Sequence, residues 1–183
     1  MIAATVSEQI RSDLATTAVS VDVSDLVPFP GSFSLNGWIR TSGRPSTSPV
    51  LLCCLAGGKC STRYFDLQVE GYPDYSMADY LAARGFIVVA FDHLGIGSSS
   101  SVDDIFLVTP GLAGAVNDHA HRAVAQAIMS GTLVPGLGPL PDLVSIGVGH
   151  SMGGMLLGVQ QARHDSFAAV AILGHGVGLP TVR

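Results

Sequence analysis

Gly149-His150-Ser151-Met152-Gly153 is the stretch of this 183-residue chain best suited to chemistry. It fits G-x-S-x-G and falls between an apolar run that reads as a strand and a segment that reads as a helix, the context in which such a turn exposes a serine hydroxyl. A serine held in a strained turn needs small neighbours two positions away on each side, and the following helix turns its positive end toward developing negative charge. Acyl transfer also needs two backbone N–H donors for the oxyanion. Met152, just after the serine, offers one. The loop Leu55-Ala56-Gly57-Gly58-Lys59-Cys60-Ser61, which follows an earlier apolar run, offers the other from Gly58 or Lys59.

A nucleophilic serine further needs a base and a group that orients the base. His175 is the best base the sequence supplies, at the end of the apolar run Ala168 to Leu173. Asp165 precedes that run and should lie at its opposite end, so no carboxylate is expected to orient the imidazole. His150 adjoins Ser151, but its side chain should leave a strained turn in another direction. Asp92 closes a strand before a glycine-rich turn, where its carboxylate is expected to hold local N–H groups in a structural role.

Other chemistries find less support. Gly58-Lys59 after a strand resembles a phosphate-binding loop, but that motif needs glycine at Cys53 and Ser or Thr at Cys60. A dinucleotide fingerprint would need glycine at Met152 after Gly147-Val148-Gly149, or at Ser100 after Gly95-Ile96-Gly97. His119 and His121 are two apart on a helix, point in different directions, and read as solvated helix residues rather than metal ligands. No cofactor and no metal site are read. Charged residues make up 13% of the chain, the net charge is -5 and Lys59 is the only lysine, so no basic stripe suits a nucleic acid.

The opening MIAATVSEQIRSDLATT carries Glu8, Arg11 and Asp13 and lacks the pattern of a secretory signal, and no apolar run is long enough to span a membrane. Cys53 and Cys54 read as buried, reduced core thiols, with Cys60 in a loop beyond them. A cytoplasmic protein is the expectation. Its partner is expected to be a small-molecule substrate, with no nucleic acid and no membrane.

The elements that must position these residues are legible as an alternation. Val19 to Trp38 suggests one or two antiparallel strands joined by a tight turn. Val50 to Ala56, Phe86 to Phe91, Leu143 to Val148 and Ala168 to Leu173 are strand-length apolar runs, as in strands buried on both faces. Helical patterns fall between them, from Met77 to Arg84, Val116 to Met129 and Ser151 to His164. This predicts one α/β domain over residues 1–183, mostly parallel, with helices on both faces, and residues 1–17 as a poorly ordered or helical extension. Ligands of such sheets sit beyond the carboxyl ends of the strands, here Gly57-Gly58, Asp92-His93, Gly149 to Ser151 and Gly174-His175.

From Phe33 to Gly174 the chain resembles the α/β-hydrolase family: LAGG, YSMADYLAARGFIVVAFDHLGIGSSS and GHSMGG occur in the family's order. The resemblance implies an eight-stranded, mostly parallel sheet, a serine nucleophile after the fifth strand, an acid after a later strand and a histidine near the end. Ser151 matches the nucleophile, and Met152 with the Gly57 to Lys59 loop matches the oxyanion donors. Ala56 replaces the histidine usual before the loop glycine. The residues after Ser151 are too few for the remaining elements, so the chain reads as the front part of the fold, truncated after about the sixth strand. The function expected is a serine hydrolase of ester, thioester or related acyl substrates, inactive or feeble at this length. The alternative is a non-catalytic domain that binds a small apolar ligand or a protein partner. An uncovered sheet edge is expected to invite self-association or a partner chain.

Overall fold

The apolar run after Pro49 becomes the central strand of a six-stranded sheet in the computed structural model, which describes residues 13–176. The strands are β1 (Ala15–Asp22), β2 (Ser34–Thr41), β3 (Val50–Leu55), β4 (Ile87–Phe91), β5 (Val144–His150) and β6 (Ala169–Leu173). Their order across the sheet is β1-β2-β4-β3-β5-β6. Pairings β1/β2 and β2/β4 are antiparallel, and β3/β4, β3/β5 and β5/β6 are parallel.

Alternation along β3 explains why its sequence is apolar throughout. Leu51, Cys53 and Leu55 face one core, and Leu52 and Cys54 face the other. β4 divides in the same way, with Ile87, Val89 and Phe91 on the first side and Val88 and Ala90 on the second. Among the described residues three α-helices cover the two faces: α1 (Met77–Ala82), α2 (Pro110–Met129) and α3 (Met152–His164). α1 lays Ala78 onto the second core, while α2 buries Val116, Ala120, Val124 and Ile128 in the first, beside Leu157 of α3. Their four-residue spacing on α2 forms one stripe, and each buried Val or Ile contributes about 1.5–3 kcal/mol.

Several boundaries differ from the sequence expectation. The tight turn expected between Val19 and Trp38 is instead the segment 23–33, containing a 3-10 turn over Ser24–Leu26. Val23, Val27 and Phe33 of that segment are buried in the first core, so the connection is part of the packing. α2 starts at Pro110 rather than near Val116: Thr109 caps it, its hydroxyl accepting from Leu112 N at 3.2 Å, and Pro110 occupies the first turn. Of the N-terminal extension expected over 1–17, residues 1–12 lie outside the described residues and β1 begins at Ala15.

β3 leads to β4 on one side, and β5 returns to pair on its other side. The chain therefore reverses direction of travel across the sheet at β3/β5, and in sheets of this kind such a reversal is where ligands bind, beyond the carboxyl ends of the strands. No helix among the described residues is long and apolar enough to cross a membrane.

Candidate active site

β5 ends at His150, α3 begins at Met152, and Ser151 between them has φ 51° and ψ -116°. Positive φ is rare for a residue with a Cβ and stores strain of order 1–3 kcal/mol. Two contacts hold the turn: Ser151 N donates to the Leu173 carbonyl of β6 at 2.8 Å, and Met155 N donates to Ser151 O at 3.1 Å. The N–H groups of Met152, Gly153 and Gly154 precede that bond, so they belong to the unsatisfied first turn of the helix. Both motif glycines are required by close approach. A Cβ on Gly149 would stand 2.6 Å from Gly153 O, and one on Gly153 would collide with the Leu55 carbonyl oxygen.

The loop after β3 lies directly against this turn. A Cβ on Gly57 would be 3.4 Å from Ser151 Cβ, and one on Gly58 3.5 Å from Met152 Sδ. Cys60 N donates to Gly57 O at 3.1 Å, closing a turn whose middle residues are Gly58 and Lys59, the latter with φ 63°. The N–H groups of those middle residues are not used by that bond. Gly57 is buried and Gly58 and Lys59 are exposed. Gly58, Lys59, Ser151 and Met152 are therefore gathered at one end of the β3/β5 pair.

Asp92 is 4% exposed and ties neighbouring loops together. Its Oδ1 accepts from Thr62 N at 2.6 Å, and its Oδ2 accepts from Ser98 N and Ser98 Oγ, each at 2.8 Å. This is the structural geometry expected of it.

The histidines separate in space. His150 stacks on Tyr64, with ring centroids 4.5 Å apart and planes at 13°. Its ring also borders Gly57 and Gly174. His175 follows β6, is exposed, and sets its Cβ 3.4 Å from where a Gly154 Cβ would be, beside the first turn of α3. Among the described residues no hydrogen bond joins Ser151 Oγ to His175 or to His150. Asp165 caps the far end of α3 in the left-handed conformation (φ 49°) and accepts from Gln161 Nε2 at 3.0 Å, remote from His175 as expected.

His121 overturns the expectation of a solvated helix residue. It is 3% exposed and packs on Phe167, with centroids 4.5 Å apart, because α2 turns this position toward the start of β6. Burial lowers its pKa to about 4. His119 on the same helix is exposed. Tyr64, which stacks on the residue before the serine, carries no sequence signal: it lies in a 3-10 turn with no periodicity pointing at the site.

No protein-family model and no curated protein matches the chain. Solved structures do resemble it. An epoxide hydrolase from Vigna radiata superposes with TM-score 0.61 at 15% identity, over 94% of this chain and 42% of that one. A protein described as an alpha/beta hydrolase from Novosphingobium aromaticivorans matches with TM-score 0.55 at 18% identity, over 86% and 43%. A cold-adapted esterase from an Arctic intertidal metagenomic library matches with TM-score 0.56 at 18% identity, over 87% and 60%. The chain thus spans between 42% and 60% of the length of these three proteins.

Proposed function

We propose that this chain, whose fold is that of the α/β hydrolases, is a serine hydrolase acting on an ester, thioester or related acyl substrate, with Ser151 as nucleophile. The observation that carries the reading is the strained backbone of Ser151 at the β5–α3 junction, set against the Gly57-Gly58 loop. In the reaction Ser151 Oγ bonds to the acyl carbon and its proton passes to a base. The charge gathering on the carbonyl oxygen is met by the N–H of Met152 and that of Gly58 or Lys59, an arrangement in which one donor is worth about 10²–10³ in rate. His175 is the base this chain offers, standing beside the first turn of α3. The free thiols Cys53, Cys54 and Cys60 support a reducing, cytoplasmic setting.

A second reading is a non-catalytic domain that binds a small apolar ligand or a partner. It is favoured by the lack of any hydrogen bond between Ser151 Oγ and a histidine among the described residues. A fluorophosphonate probe separates the two. The hydrolase reading expects covalent labelling that Ser151→Ala abolishes; a folded chain that resists the probe supports the binding domain instead.

A further inference from the structure

The loop beside Ser151 is fastened at both ends by two consecutive residues that follow β4. At its far end Thr62 N donates to Asp92 Oδ1 at 2.6 Å. At its near end the His93 imidazole, 4% exposed, brings Nε2 to 2.8 Å from the Ala56 carbonyl oxygen. A carbonyl only accepts, so Nε2 carries the proton. Burial lowers the pKa of His93, which favours the neutral ring. In that form Nδ1 is an acceptor, and it is buried without a hydrogen-bond partner among the described residues.

The Ala56 carbonyl and the Gly57 N–H belong to one rigid peptide plane, so fixing the oxygen fixes the plane from which the Gly58 turn departs. Gly57 and Gly58 have no side chains with which to anchor themselves. Ala56 itself is buried and small, so it is held through its carbonyl, which accepts from His93.

We propose that His93 is a positioning residue for the oxyanion loop, its hydrogen bond to the Ala56 carbonyl aiming the Gly58 and Lys59 N–H groups at the Ser151 side. This inference rests on the acyl-transfer reading above. His93 touches no substrate; it acts through the orientation of the loop.

Three variants test it: His93→Leu, which fills the space without a donor; His93→Asn, whose amide is too short to reach; and His93→Gln, whose amide can reach Ala56 O. Two readouts are followed. One is hydrogen exchange of the Cys60 N–H, which closes the turn onto Gly57 O, referenced to exchange in β5. The other is the second-order rate of Ser151 labelling by a fluorophosphonate. His93→Leu and His93→Asn are expected to raise Cys60 exchange about tenfold relative to β5 and to lower the labelling rate about tenfold, and His93→Gln to restore most of both. If His93→Leu does not fold, the contrast between Asn and Gln decides. Loop exchange and labelling that are the same in Asn, Gln and wild type overturn the proposal. A wild-type chain that does not label at all overturns the hydrolase reading instead, and the Cys60 exchange alone then decides whether His93 holds the loop.

Discussion

Ser151 and His121 show how differently one residue can be written in a sequence. Ser151 is announced by its neighbours: its positive φ is tolerated because Gly149 and Gly153 leave room for the turn on either side. His121 has no such frame, and its two-residue spacing from His119 suggested only a helix surface. Its burial against Phe167 has a measurable consequence. Burial lowers its folded pKa to about 4, with Asp118 pulling it up and Arg122 pushing it down. The unfolded chain therefore binds a proton at pH values where the folded chain does not. The stability carried by the neutral ring is fully present above about pH 6.5 and falls as pH drops toward 4, by an amount of order 3 kcal/mol at the low end. Urea denaturation at pH 7, 5.5 and 4 should show this decline, and His121→Leu should flatten it. An unchanged slope in the variant would mean that another group carries the pH dependence.

The β5–α3 junction is where strand, turn and helix depend most on one another. Gly153 lies in the first turn of α3, against the Leu55 and Ala56 carbonyls at the end of β3. A methyl group there must push α3 away from β3 or displace the loop that leaves it. Gly153→Ala is expected to destabilise the fold by about 2–3 kcal/mol, as overpacking does, and to lower Ser151 labelling beyond what the stability loss explains. A denaturation midpoint equal to wild type would show that the junction has slack. By contrast Gly158, on the same helix, has open space where a Cβ would go, so Gly158→Ala serves as the tolerated control. The same scale explains the late start expected for α2. Apolar periodicity is carried by Val116, Ala120, Val124 and Ile128, whereas the first turn is specified by Thr109 and Pro110, a capping signal without periodicity.

Across the whole molecule, the β/α alternation fits proteins that share only 15–18% of their residues with this chain. Such a likeness rests on burial pattern and connection order, which many side chains satisfy. Among the described residues β6 pairs with β5 alone, and Val170 and Leu173 on it are 39% and 45% exposed. An apolar strand with unpaired backbone on one side favours association with another chain. Light scattering over a concentration series should show an average mass above that of the monomer, and Val170→Lys should reduce it, because a charge on an edge strand resists pairing. Equal masses for both chains would assign the association elsewhere or exclude it.

The sequence by itself determined the strands β3 to β6, the helices between them and the turn at Ser151. Each of these is encoded by consecutive residues: apolar runs of strand length, four-residue stripes, and glycines at fixed offsets from a serine. The sheet order β1-β2-β4-β3-β5-β6 was decided by the tertiary structure, and so was everything that depends on it. That order sets Gly57 against Ser151, brings His93 to the Ala56 carbonyl, places Tyr64 on His150 and buries His121 under Phe167. Local pattern fixes which face of an element must be buried. Which element covers that face is settled only when distant segments compete to bury it, so contacts between residues far apart in the chain leave no local mark.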